Sequence, residues 1–282
     1  MLEVNKNGRH ALAEMFHGHL GGHSATAILE GQTGRVLADS KTDPRFAVLE
    51  MPQFKVSILD GDPTHPSVTG YIEALPKYAK LILSSEGFIP VLQNVHPGKW
   101  VQLERYAFST ENLNADSLQQ FKTQLPTGFQ VKKIDIALAN QLVSDKKNEF
   151  ANHHGMNFPS LEEFVSRGFG YCVLHGNEIA CVASTFVICE GGMEIQIDTK
   201  KKYRGKGLAT VAAAYLIAHS LENSMDPGWD AATQTSAKFA EKLGFTPQGT
   251  YFMHVFTDSK FLVRLRKVVQ KFKKMSGVTA VL

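Results

Sequence analysis

Tyr203-Arg204-Gly205-Lys206-Gly207-Leu208-Ala209 is the stretch on which the reading of this chain turns. Ahead of it, residues 192–199 alternate as a strand does. Behind it, Leu208, Val211, Ala212, Tyr215, Leu216 and His219 recur at helical spacing through residues 207–223. The heptapeptide is therefore a glycine loop squeezed between a strand and a long helix. Two glycines allow positive φ and a close backbone approach, and the unpaired N–H groups at a helix start suit phosphate oxygens. Arg204 and Lys206 add positive charge. A strand–glycine–helix turn also occurs in folds that bind nothing, so the loop by itself leaves both readings open.

Working outward, residues 170–175, 179–189 and 192–199 read as three strands of an antiparallel meander. Their turns are His175-Gly176-Asn177-Glu178 and Glu190-Gly191-Gly192. A strand at 129–133 and helices near 134–148 and 160–167 precede them. After the long helix, the pattern predicts a short strand at 229–232, a helix from about 236 to 243 ended by Gly244, and two short strands between Pro247 and Phe256. The first hundred residues predict an α+β domain. Residues 9–17 read as a helix, and 25–30 and 35–39 as a hairpin around Gly31-Gln32-Thr33-Gly34. Further strands fall at 46–51, 54–59, 80–84 and 100–108, with helices at 70–79 and 88–95. Polar residues 109–127, with a helix start at Asn114-Ala115-Asp116-Ser117 and a stop at Pro126-Thr127-Gly128, mark a linker. The organisation expected is an N-terminal domain over 1–108, a linker over 109–127, a second domain over 128–256 and a basic amphipathic helix over 257–282.

Arg204-x-x-Gly207-x-Ala209, after a strand and before a helix, resembles the R/Q-x-x-G-x-G/A signature of the GNAT acetyltransferase superfamily. The phrases Glu194-Ile195-Gln196-Ile197-Asp198-Thr199, Trp229-Asp230-Ala231-Ala232 and Ala240-Glu241-Lys242-Leu243-Gly244-Phe245 are similar to those of the zwittermicin A resistance-type acetyltransferases. The resemblance implies an α/β (α+β) fold whose C-terminal half has a mixed, splayed sheet flanked by helices. It also implies acetyl-CoA as cosubstrate, a small polar amine as acceptor, such as an antibiotic or metabolite, and no metal. Under it, Arg204, Gly205, Lys206, Gly207, Leu208 and Ala209 hold the CoA pyrophosphate. Backbone around Ile197 and Thr199 polarises the thioester carbonyl, and Thr233 and Ser236 contact the cofactor. The chain departs from the pattern twice. Thr233 stands where relatives tend to carry Asn, and Ala240 stands where many carry the Tyr that protonates the leaving thiolate. Tyr251 is the candidate substitute, although an aromatic on a strand also serves as plain packing. These two departures motivate a rival reading, a non-catalytic CoA-binding sensor or scaffold.

An amine must be neutral to attack a thioester, so a carboxylate base is expected. Strand alternation places Glu194, Gln196 and Asp198 on one face, with Met193, Ile195, Ile197 and Thr199 on the other. Glu194 and Asp198 are thus the candidate bases, or else the solvated side of a strand.

Composition bounds the alternatives. The chain has 282 residues, 43% of them hydrophobic, and a formal net charge of +3. No apolar run is long enough for a transmembrane helix and the first residues lack a signal peptide, so a cytoplasmic location is expected. Cys172, Cys181 and Cys189 lie in apolar strand-like runs and read as reduced packing residues. His10, His17, His19 and His23 crowd one segment, and His153 adjoins His154, but the spacing matches no standard metal pattern. Basic residues do not interleave with aromatic ones, so nucleic acid is not an expected partner. A homodimer is left open. The tail is another matter: Phe261, Leu262, Leu265, Val268, Val269, Phe272 and Met275 form a helical stripe, with Arg264, Arg266, Lys267, Lys271, Lys273 and Lys274 around it. That layout suits a helix docked on the protein's own body or one lying on an anionic surface.

Overall fold

In the computed structural model, residues 1–18, 22–144, 150 and 154–259 are described. The chain begins with β1 (Leu2–Val4), a 3-10 turn over Lys6–Leu12, α1 (Gly22–Leu29), β2 (Arg35–Ala38), β3 (Phe46–Met51) and β4 (Val56–Gly61). It continues through α2 (Pro66–Glu73), β5 (Lys80–Leu83), α3 (Phe88–Val95), β6 (Trp100–Ser109) and α4 (Ala115–Lys122). Next come β7 (Phe129–Lys133), α5 (Ile136–Val143), α6 (Leu161–Arg167), β8 (Gly170–His175), β9 (Glu178–Cys189) and β10 (Gly192–Thr199). The run closes with α7 (Leu208–Glu222), β11 (Asp226–Gly228), β12 (Asp230–Ala231), α8 (Gln234–Leu243) and β13 (Thr246–Phe256). Among the described residues no helix is long and apolar enough to cross a membrane.

These elements form two compact units. One comprises residues 1–106, 231–234 and those from 249 onward; the other comprises 107–230 and 235–248. The first unit is organised by an eight-stranded sheet in the order β1-β2-β3-β4-β5-β13-β6-β12. Every residue of β3 is buried because both faces are covered. Phe46 and Val48 pack with Val68, Ile72, Phe88 and Leu92 of α2 and α3, whereas α1 packs on β2 and β3.

Residues 25–30 are not a strand of a hairpin, as the sequence pattern predicts, but the body of α1. Gly31, at φ 69°, lets the Gln32 N–H reach back to the Ala27 carbonyl at 2.9 Å. A glycine in the left-handed region serves equally as a hairpin turn and as the residue that ends a helix, and burial of Ala25, Ala27 and Ile28 decides for the helix. The two short strands expected near the end are one continuous strand, β13, whose Met253, His254 and Val255 pair with Ile82, Leu81 and Lys80 of β5. The segment 9–17 folds into the 3-10 turn and further turns instead of an α-helix.

In the second unit, a five-stranded sheet runs β11-β10-β9-β8-β7, antiparallel except for the parallel β10–β11 pair. Alternation sorts its side chains into two cores. Cys172, Leu174 and Val182 face Leu138, Leu142 and Phe164 of α5 and α6. Val173, Cys181, Ala183 and Met193 face Leu208, Ala212 and Leu216 of α7. The unit therefore has three layers, helices over both faces of a mixed sheet. Its helices begin where the sequence signals a start: Asn114, Asp135 and Ser160 accept from the backbone N–H groups of Asp116, Leu138 and Glu163. Of the expected helix over 257–282, residues 257–259 are not helical and residues 260–282 lie outside those described.

Candidate functional site

The strand β10 carries the candidate carboxylates of the second unit. Ile195 and Ile197 pack toward α7, and the Thr199 hydroxyl donates to Cys181 Sγ at 3.2 Å. Burial pushes the Cys172 and Cys181 thiols up to about 12, so neither is a thiolate at neutral pH. Glu194, Gln196 and Asp198 belong to the opposite face. Their cross-strand neighbours on β9 are Val187, Ser184 and Val182. Between Glu194↔Val187 and Ile195↔Thr185 the register slips by one residue, so that Phe186 is the extra residue of a bulge in β9. Asn157 answers this bulge by donating from Nδ2 to the Phe186 carbonyl at 2.7 Å.

On the same face, His154 joins two of these residues. Its Nδ1 lies 2.7 Å from Ser184 Oγ and its Nε2 lies 3.1 Å from Asp198 Oδ2. His154 and Ser184 are buried, while the Asp198 side chain is 25% exposed. The ring of Phe150 packs edge-on against the imidazole. Gln196 Oε1 is buried there with no hydrogen-bond partner. The result is a carboxylate within reach of solvent, backed by a buried imidazole and hydroxyl.

The far edge of β10 is half open. Its pairing with β11 spans Gly192↔Asp226 to Glu194↔Gly228, and from Ile195 to Thr199 no described strand continues it. Among the described residues no strand takes up the backbone groups of that edge, although the Thr199 carbonyl accepts from Arg204.

The glycine loop follows directly. Gly205 and Gly207 have φ of 78° and 77°, and a Cβ built on either would meet nothing within 4 Å. Gly207 is the N-cap of α7 and supplies no side-chain cap, unlike Asn114, Asp135 and Ser160 at α4, α5 and α6. The first N–H groups of α7, at Leu208, Ala209 and Thr210, are thus left for an anion, with the positive end of the helix dipole behind them. Arg204, Gly205, Lys206 and Gly207 are exposed, and Arg204 Nε donates to the Thr199 carbonyl at 3.1 Å, fixing the loop to the end of β10. Its approach is tied down from below by Glu178, which accepts from Lys202 at 2.7 Å, from the Tyr203 hydroxyl at 2.8 Å and from Lys200 at 3.3 Å. The hydrogen bonds from Lys202 and Tyr203 hold the Glu178 carboxyl down at about 2.

Glu194, Ile197, Asp198, Thr199, Arg204, Gly205, Lys206, Gly207, Leu208, Ala209 and Ser236 all belong to the second unit; Thr233 and Tyr251 belong to the first. Tyr251 is buried in β13, and Ser236 Oγ accepts from Trp229 Nε1 at 3.3 Å. Ala240, in the place of the usual Tyr, is a fully buried packing residue of α8. Sequence reasoning missed His154, Ser184, Asn157 and Glu178. The adjoining His153 and His154 were a signal, but one that suggests metal before it suggests a partner for Asp198. His19 and His153 lie outside the described residues, and among the described ones no three metal-binding side chains gather.

Comparison with known proteins agrees with this geometry. The sequence model of the GNAT acetyltransferase family matches residues 13–254. The chain is 30% identical over 231 residues to the uncharacterized N-acetyltransferase YdfB of Bacillus subtilis, covering 78% of this chain and 85% of the relative. A GCN5-related N-acetyltransferase-like protein from Streptococcus suis superposes with a TM-score of 0.77 at 26% identity, covering 89% of this chain and 98% of that one. A GCN5-related N-acetyltransferase from Kribbella flavida shares the fold at 13% identity, with a TM-score of 0.59 over 88% of this chain and 99% of that one. By the extent of these matches, and with an uncapped glycine loop between β10 and α7, the chain belongs to the GNAT acetyltransferase family.

Proposed function

We propose that this acetyltransferase moves an acetyl group from acetyl-CoA to the amine of a small polar molecule, with Asp198 and Glu194 as the proton-accepting carboxylates. The observation that carries the reading is the start of α7, where two glycines in the left-handed region leave open space over a row of uncapped N–H groups. Bulky side chains there would fill the room an anion needs. Arg204 to Ala209 are the residues that would hold the CoA pyrophosphate, and the open edge of β10 from Ile197 to Thr199 would hold the arm beyond it. Ser236, in the same unit, completes the proposed set. Acetyl-CoA, when bound, supplies the activated acyl group.

The protein's own work is then to position the amine and remove its proton. Asp198 reaches solvent on the face of β10 turned away from α7, and Glu194 shares that face. A carboxylate attracts an ammonium and accepts its proton as attack proceeds. The resemblance around residues 194–199 and 229–245 puts amine-bearing antibiotics and metabolites first among acceptors. Calorimetry with CoA, followed by thiol release from acetyl-CoA with a panel of primary amines, tests the proposal. Binding with turnover of at least one amine is the expected result. Tight CoA binding with no turnover on any would favour a sensor, and no CoA binding would sink both.

A further inference from the structure

We propose that His154 is a positioning residue for Asp198, and that a fixed chain of hydrogen bonds, Ser184 to His154 to Asp198, holds this carboxylate aimed at the amine. The inference rests on the acetyltransferase reading above and adds to it the device that prepares the base. Ser184 sits on β9, Asp198 on β10 and His154 in the connection between α5 and α6, so three separate parts of the second unit converge on one imidazole.

The tautomer follows from what each partner can do. An ionised Asp198 only accepts, so His154 Nε2 must carry a hydrogen and donate it to Oδ2. His154 Nδ1 is then a bare acceptor, and the Ser184 hydroxyl, 2.7 Å away, supplies its hydrogen. Among the described residues each ring nitrogen has one partner, and the imidazole is buried, 4% exposed, against the Phe150 ring. Among the same residues, Asp198 is the charged group in direct contact with the imidazole, and Lys200 lies over the Phe150 ring, 5.2 Å from its centroid.

The consequence for Asp198 is positional: the contact restricts χ1 and χ2 of a side chain that is 25% exposed. An aspartate on an exposed strand without this backing would spend part of its time in other rotamers.

The test is the rate of acetyl transfer to the amine that the wild-type chain turns over best, followed by thiol release from acetyl-CoA. His154→Phe is expected to lower kcat by about tenfold or more with KM for acetyl-CoA unchanged. His154→Gln places an amide N–H where Nε2–H was, and should return kcat toward its wild-type value. The double variant His154→Phe/Asp198→Asn should be no slower than Asp198→Asn alone, since both act through one carboxylate. Multiplying losses, or a His154→Phe enzyme with wild-type kcat, would overturn the proposal. Nitrogen-15 NMR of the folded wild-type protein is independent of whether any variant folds: a protonated Nε2 with a bare Nδ1 is expected, and the opposite tautomer overturns the chain of donors. A wild-type chain that acetylates no amine would remove the acetyltransferase reading itself, whereas turnover that ignores His154 removes only this inference.

Discussion

Gly207 meets two demands that no other residue meets together. Its φ of 77° costs an L-residue roughly 1–2 kcal/mol, and the space beside its Cα has no protein atom within 4 Å of a would-be Cβ. Gly207→Glu should therefore fold, with its carboxylate settling at the positive end of α7. It should also lose CoA affinity by on the order of 100-fold or more, because that carboxylate occupies the anion position. Calorimetry decides, and unchanged affinity in a folded variant would remove the proposed cofactor loop. Asp198→Asn should lower kcat/KM by roughly 100-fold at neutral pH if this carboxylate is the base; if Glu194→Gln and Asp198→Asn are both fully active, the base lies elsewhere. Glu178 makes a pH prediction. Its folded value, about 2, is below the ordinary 4.5, so its contribution is present above about 4.5 and lost as pH falls through about 2. The wild-type melting temperature should drop more steeply across that window than that of Glu178→Gln. The difference will be small, because Glu178 and Lys202 are 35% and 57% exposed and solvent screens them. Equal slopes would mean the anchor contributes nothing to stability.

At the scale of elements, β9 and α7 hold the site by different means. The bulge at Phe186 is tolerated because Asn157 takes up its carbonyl, and Asn157 is itself buried. Asn157→Ala leaves that acceptor without this donor and should cost about 1–3 kcal/mol in chemical denaturation. Packing alone secures α7. Leu216 is fully buried between α7 and the sheet, so Leu216→Ala should cost about 2–5 kcal/mol while leaving the loop's backbone intact. A variant that loses CoA binding in proportion to this stability would show that the loop depends on the helix beneath it. How much of these elements was legible in sequence varies. The limits of β7, β8, β10 and α3 are local matters of alternation or helical spacing bounded by glycine, and the pattern places all four correctly. The α1 segment was misread because Ala25–Ile28 followed by glycine fits either period over so short a run.

For the whole molecule, the units are built from discontinuous segments. The sheet of the first unit contains β13, which pairs with β5 and is inserted between β5 and β6 in strand order. A fragment ending at residue 108 lacks that strand and leaves β5 and β6 without their shared neighbour. Expressed alone, it is expected to aggregate or to lack a cooperative unfolding transition; a soluble fragment with the native circular dichroism of its elements would contradict this. A cut at that point therefore does not isolate an independently folding piece, even though the change to polar sequence there looks like a natural boundary.

The sequence by itself determined the family and the glycine loop, because both are written in neighbours. Strand alternation, helical spacing and the torsional freedom of Gly205 and Gly207 act over a few residues, and the R-x-x-G-x-A pattern records all of them at once. Glu194 and Asp198 sharing a face was legible for the same reason. What only the tertiary structure decided is who stands behind them. His154 meets Ser184 and Asp198 across separations of 30 and 44 residues, and the β9–β10 pairing slips by one residue at Phe186 where no local pattern announces it. The incorporation of β13 into the first sheet is of the same kind. Hydrogen bonds between distant segments depend on where packing puts them, and packing is settled by the burial of whole faces of strands and helices rather than by any residue and its neighbours.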